Sequence, residues 1–284
     1  MQETHMHRPT FATIVTAHRA ASPSGTLPAR IIKPAGRSGL PPLVVLHGIS
    51  RNADELVDLF TPEAETSGRV VVVPHFSEPD WPHFQRPCRA ARPDQALLAV
   101  LSHLARGDAA FAGPVDVFGH SGGAQLAHRF AMLYPHRVGR LSLAAAGWYC
   151  LPDASMAYPY GLGVDEDPAS LCWARRHEQA LGAYLRLPVQ VFVGLEDSLR
   201  DDTLRKTPRL DRLQGPTRIA RARTYVAHFR KAAQAKGITP DITLTHLPGI
   251  GHDVTQAIRD AGLATKVART LNTSRTWFPL EVAS

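Results

Sequence analysis

Val115-Asp116-Val117-Phe118-Gly119-His120-Ser121-Gly122-Gly123-Ala124-Gln125-Leu126-Ala127-His128-Arg129-Phe130 reads as a buried strand, a turn holding three glycines and a helix, in that order. The strand is short and apolar, and the residues after Gly123 repeat at helical spacing. A strand, a sharp turn and a helix present a serine hydroxyl at the carboxyl edge of a parallel sheet. The Gly-x-Ser-x-Gly spacing supplies small neighbours where the backbone crowds. Ser121 is therefore the candidate nucleophile. The Gly122 amide and the helix start behind it face any negative charge that develops there. No Gly-x-Gly-x-x-Gly follows an early strand and no Gly-x-x-x-x-Gly-Lys-[Ser/Thr] occurs, so dinucleotide and phosphate-loop readings fall away.

Outward from this turn, apolar runs alternate with helical patterns from about residue 40. The runs are Leu43–Leu46, Val70–Val73, Leu141–Ala144, Val189–Val193 and Ile242–Leu247. They lack an in-out alternation, as expected of parallel strands covered on both faces. Leu97, Val100, Leu101 and Leu104 mark one helix face. Asn52 with Glu55, and Asp253 with Gln256, have the spacing of helix-start capping pairs. Phe11 to His18 and Ala29 to Lys33 read as antiparallel edge strands around the turn Ser22-Pro23-Ser24-Gly25. No internal repeat or long linker divides the chain, so residues 1–284 are expected to form one domain. Residues 148–187 read as a cap insertion after the sixth strand, and 198–217 as an excursion loop near the site.

A serine nucleophile needs a base and an acid to orient that base, and in this strand order the acid precedes the histidine. Gly194-Leu195-Glu196-Asp197 ends a strand. Asp197 is the expected acid, with Glu196 the alternative and Asp201 or Asp202 further along the loop. Pro248-Gly249-Ile250-Gly251-His252 follows the last strand, so His252 is the expected base among 14 histidines. His246 lies inside a strand, and His120 sits in the elbow, where it can line a pocket but is poorly placed to take its neighbour's proton.

The strand order, the Leu46-His47-Gly48 turn, the elbow at Ser121 and the later acid and histidine together resemble the α/β-hydrolase superfamily from about residue 27 onward. The resemblance implies a mostly parallel sheet flanked by helices. It implies a second oxyanion-hole amide at Ile49 beside that of Gly122, with Ser50 the neighbouring candidate, and a structural His47. It also supports Asp197, which matches the family's Gly-x-x-Asp pattern. His47–Asp54 and Val73-Pro74-His75-Phe76 are locally similar to esterases related to polyhydroxybutyrate depolymerases and feruloyl esterases. One departure is the interval of about 55 residues between Asp197 and His252, lengthened by the 198–217 excursion.

These readings predict a serine esterase acting on a small-molecule ester or acyl substrate through an acyl-enzyme, without metal or organic cofactor. A thioesterase or acyltransferase would use the same three residues, and a non-catalytic hydrolase-like binding protein would normally lack one. His120, Trp148 and Tyr149 are candidate pocket residues. Tyr158 and Tyr160 share that insertion, where aromatics more often form a small core of their own.

Composition fits a globular enzyme: 44% of residues are hydrophobic and 20% charged. No apolar run is long enough to span a membrane, and the N-terminus lacks a secretion signal, so a cytoplasmic location is expected. Cys88, Cys150 and Cys172 show no metal or redox spacing and read as reduced, packed thiols. Asn272-Thr273-Ser274 fits a glycosylation pattern that has no bearing in that compartment. The net charge of +7 gathers between Arg200 and Lys231. That run reads first as a solvated face and second as a contact for a carboxylate-bearing substrate, with no nucleic-acid partner expected.

Overall fold

Residues 12–17, 26–88, 91–164 and 168–268 are described by a computed structural model. Eight strands form one sheet: β1 (Ala12–Ala17), β2 (Thr26–Ile32), β3 (Leu43–Leu46), β4 (Val71–Pro74), β5 (Val115–His120), β6 (Val138–Ala144), β7 (Val189–Gly194) and β8 (Ile242–Leu247). They lie in the order β1-β2-β4-β3-β5-β6-β7-β8. β2 is antiparallel to both neighbours, and β4 through β8 run parallel. Every expected strand from residue 43 onward is present, because an apolar run is what a strand covered on both sides requires. Of the edge pair, Phe11, His18 and the turn at 22–25 lie outside the described residues, as do residues 272–274.

The strands split their side chains between two cores with period two. Val44, Leu46, Val72, Val117, Leu143 and Val191 point into one core. Val45, Val71, Val73, Phe118, Ala144 and Phe192 point into the other. Helix α1 (Ala53–Ser67) buries Leu56, Val57 and Phe60 in the second core. Helix α2 (Pro93–Ala105) buries Leu97, Val100, Leu101 and Leu104 in the first, as their spacing predicts, and α3 (Gly122–Leu133) follows the elbow. Asn52 departs from the expected capping pair: its amide donates to the Glu55 carboxylate (2.8 Å) instead of accepting from the backbone.

Helix α4 (Pro168–Tyr184) makes up the second half of the segment read as a cap, residues 148–187. Trp173, Ala174, Leu181 and Tyr184 are buried in the first core, so α4 is a flanking helix beside α3. Its packing partners are α3 and the short turn Pro135–Arg137 ahead of β6, and Trp148, in the irregular segment before it, lines a cleft beside Ile49. The chain continues through α5 (Pro208–Gln214), α6 (Arg218–Ala235), α7 (Val254–Arg259) and α8 (Leu263–Ala268). Cys150 is buried and Cys88 half-buried, both as free thiols. Among the described residues no helix is long and apolar enough to cross a membrane.

Two buried imidazoles make this fold acid-sensitive. His128 Nδ1–H donates to the Ala124 carbonyl (2.9 Å) while Nε2 accepts from the Cys150 amide (2.9 Å), a pairing available only to the neutral ring. Burial pulls the His128 pKa well below its ordinary value and that of His177 down to about 3. The unfolded chain therefore binds more protons below pH ~6.5, and stability rises with pH across that window. Unfolding free energies from urea melts are expected to fall from pH 7 to pH 5, by about 2 kcal/mol in all for each such imidazole and most steeply below pH ~6. A flat profile would contradict this.

Candidate active site

The sheet order reverses at β3: β4 lies on one side and β5 on the other. At such a switch point the loops leaving adjacent parallel strands open a crevice. Ile49 follows β3 and Ser121 follows β5, so both face it. Ser121 has φ 53° and ψ −112°, a left-handed conformation that costs energy in any residue but glycine and is held here by the surrounding chains. Its amide donates to the Ala144 carbonyl (2.8 Å), which fixes the elbow to β6.

His252 Nε2 lies 3.1 Å from Ser121 Oγ, and His252 Nδ1 lies 2.9 Å from Asp197 Oδ2. The three residues read from the sequence are thus brought together in a hydrogen-bonded line. Their loops are laced to each other, since the Leu195 amide donates to Leu247 (3.0 Å) and the Glu196 amide to Ile250 (2.9 Å). Glu196 points its side chain to solvent and Asp202 pairs with Lys206 (3.1 Å), so neither reaches the imidazole. Asp253 caps α7 by accepting from the Gln256 amide (3.0 Å). The Gln256 side chain turns instead to the Gly249 carbonyl (3.2 Å), bracing the loop that carries His252.

Arg218 is the residue that the sequence gives no signal for. It is fully buried, and its Nη1 donates to Asp197 Oδ1 (3.0 Å) while Nη2 donates to Thr203 Oγ1 (2.6 Å). Both nitrogens also reach Asp201 (3.2 Å each). Burial opposes ionisation of Asp201, but hydrogen bonds from Arg218 and Thr203 outweigh it and hold that carboxyl well below the usual range. Arg221 is equally buried, donating to Gly147 O (2.5 Å), Gly215 O (2.8 Å), Arg205 O (3.0 Å) and Asp211 (2.8 Å). The basic run is therefore not uniformly a solvated face. Two of its arginines are internal struts that bind carbonyls and carboxylates distant in sequence, while Arg209, Arg212 and Arg223 are exposed.

His47 is wholly buried, with its pKa pushed down to about 4 by burial. Its Nδ1–H donates to the Gly48 carbonyl (2.7 Å) and its Nε2 accepts from the Phe76 amide (3.0 Å). A trans peptide points its N–H opposite its C=O, so His47 sets the direction of the Ile49 amide by holding the Gly48 carbonyl. That amide donates to no backbone acceptor among the described residues. A Cβ on Gly122 would sit 3.4 Å from the Ile49 nitrogen, so the loop after β3 passes close to the elbow.

A cleft of about 310 Å³ surrounds Ser121, with Ile49, Glu55, His120, Thr203 and Asp253 among its walls. The His120 ring stacks on His252, with centroids 5.0 Å apart. Burial first, then the neighbouring His252 and Arg218, pulls the His120 pKa far down, so this wall is neutral. Trp148 lines an adjoining cleft. Tyr149 corrects its pocket assignment: it is fully buried behind the wall and stacked on Tyr225 (4.4 Å). The Gln214 amide clamps its backbone at both N (2.9 Å) and O (2.7 Å). Tyr158 belongs to the main core, and Tyr160 packs with Trp148 and Leu210 in a small cluster. Among the described residues no cluster of His, Cys, Asp or Glu is arranged to hold a metal ion.

No protein-family model and no curated protein sequence matches the chain. Solved structures do. Poly(aspartic acid) hydrolase-1 from Sphingomonas sp. KT-1 superposes with a TM-score of 0.75 at 26% identity, over 92% of this chain and 100% of that one. LpqC, a poly(3-hydroxybutyrate) depolymerase from Bordetella parapertussis, gives 0.70 at 27% identity, over 92% and 95%. The S-formylglutathione hydrolase from Agrobacterium tumefaciens shares the fold, with a TM-score of 0.56 at 18% identity over 91% and 95% of the two chains. By its sheet order, its elbow and these hydrolytic neighbours, the chain is a relative of the α/β-hydrolases.

Proposed function

We propose that this chain is a serine hydrolase that cleaves carboxylic esters through an acyl-enzyme on Ser121. The observation that carries the reading is the line from Ser121 Oγ through His252 (3.1 Å) to Asp197 (2.9 Å) at the crevice. Ser121 Oγ attacks the acyl carbonyl carbon as its proton passes to His252 Nε2. The carbonyl oxygen, now anionic, is received by the amides of Ile49 and Gly122. Each such donor is worth about 10² to 10³ in rate, and His47 keeps the Ile49 amide aimed. When the ester C–O bond breaks, the leaving alkoxide takes the proton from His252. Water then attacks the acyl-enzyme with His252 as base, releasing the acid and restoring Ser121.

Asp197 holds Nδ1 protonated throughout, so that Nε2 is free to accept, and it stabilises the imidazolium that forms. Arg218 occupies the other carboxylate oxygen and leaves one direction for the histidine. The polyester depolymerase among the solved relatives supports an ester as the scissile group. Incubation with a fluorophosphonate is expected to leave one phosphonyl adduct, located by peptide mass spectrometry on Ser121, and none on the Ser121→Ala protein. Labelling that persists after this substitution, or wild type that does not label, overturns the reading.

A further inference from the structure

The cleft adjoining Ser121 shares the walls Ile49 and Thr203 with the one that contains it. Its remaining polar lining is cationic or neutral: His83, Gln85, Arg86, Gln125 and Arg205, with no carboxylate among the lining residues. The guanidinium groups of Arg86, half-buried, and Arg205, exposed, form no ion pair among the described residues. Arg205 lies over the Trp148 ring at 5.5 Å.

Over the same ring too, 4.3 Å from its centroid, lies Arg129, with no accessible surface. Its Nη1 donates to the Gln125 carbonyl (2.9 Å), and Nε and Nη2 have no partner. Burial and the nearby charge of Arg86 both press its pKa down. A buried cation without a counter-ion is costly to fold, and strongly perturbed groups beside a cleft mark candidate functional sites. The carboxylates lie in the other cleft, the one containing Ser121, which is walled by Glu55 and Asp253. The two clefts thus differ in charge, one lined by carboxylates and the other by guanidinium groups.

We propose that the cleft bounded by Arg86, Arg205 and Trp148 binds a carboxylate carried by the substrate, so that the enzyme selects anionic esters over neutral ones of the same shape. The inference rests on the reading of Ser121 for its chemistry but not for its binding. Two ester pairs test it. One is p-nitrophenyl hydrogen glutarate against its methyl ester, with the charge on the acyl side. The other is 4-acetoxybenzoate against methyl 4-acetoxybenzoate, with the charge on the leaving group. In one pair kcat/KM is expected to favour the anion by about tenfold after correction for intrinsic reactivity, and the preference should shrink with salt. It should be lost in Arg86→Gln/Arg205→Gln and in the exposed single variant Arg205→Gln be reduced, while Arg205→Lys retains most of it.

Calorimetric titration of Ser121→Ala protein with glutarate, and with dimethyl glutarate, reads the subsite without turnover. Heat from the diacid alone, absent in the double variant, supports the proposal even if no ester is cleaved. Equal rates within both pairs, a preference that survives the double substitution, or glutarate that does not bind overturns it. Absence of all ester cleavage and of fluorophosphonate labelling would count against the function of Ser121 instead.

Discussion

Asp197→Asn is expected to lower kcat on a neutral carboxylic ester by about 10³- to 10⁴-fold, with the protein still folded. The size follows from Arg218. A guanidinium only donates hydrogen bonds, so the asparagine must turn its carbonyl oxygen toward Arg218 Nη1, where Asp197 Oδ1 now lies at 3.0 Å. Its NH₂ then faces His252 Nδ1, in the place of the oxygen at 2.9 Å. Two donors cannot meet, so the imidazole moves its proton to Nε2, the nitrogen that must accept from Ser121. Turnover is lost through the wrong tautomer, with KM changed little. Glu196→Gln, at an exposed side chain one residue away, is expected to leave kcat near wild type. Initial rates and thermal melts of the two variants decide the matter. A large loss in Glu196→Gln with Asp197→Asn active would reassign the acid.

The second large effect is on folding. A Cβ on Gly123 would fall 2.2 Å from the Leu46 carbonyl oxygen and 2.5 Å from that of His47. Neither can retreat alone, because Leu46 is paired with Gly119 in the β3–β5 ladder. Overpacking of this kind costs about 3 kcal/mol, which for a chain of this length lowers Tm by about 5 °C. Because the atoms struck belong to the strand end that carries the Ile49 amide, activity below the new Tm should drop as well. Gly113→Ala, with nothing within 4 Å of the added carbon, is the matching control and is expected to melt near wild type. Equal melting temperatures for the two variants would refute the argument.

Much of this architecture is written locally. Leu43–Leu46 and Val189–Val193 are legible as strands because burial on both faces leaves only apolar side chains. The elbow at Ser121 is legible because its glycines stand where the backbone turns. His252 and Asp197 follow from their places after strands. What is not legible depends on partners far apart in sequence. Arg218 and Arg221 look like members of a charged surface run, and only the fold shows that one meets Asp197 and the other the Gly147 carbonyl. Tyr149 has the composition of a pocket residue, and its burial is decided by Tyr225 and Gln214. The helix at 168–184 follows an irregular insertion, yet its buried residues Trp173, Ala174, Leu181 and Tyr184 join the core beside α3.

The tether from Arg218 to Asp197, Asp201 and Thr203 also bears on how this enzyme can be altered. Loop grafting treats the segments around a crevice as interchangeable parts, mounted on a frame that does not notice the exchange. Here the loop that walls the crevice through Thr203 and the residue that steadies the histidine hang from one guanidinium. A transplanted loop that omits Asp201 and Thr203 would free Arg218 to shift against Asp197 and loosen its hydrogen bond to His252. Retargeting is therefore better attempted from the β3 side and from Arg86, where side chains can be exchanged without that linkage.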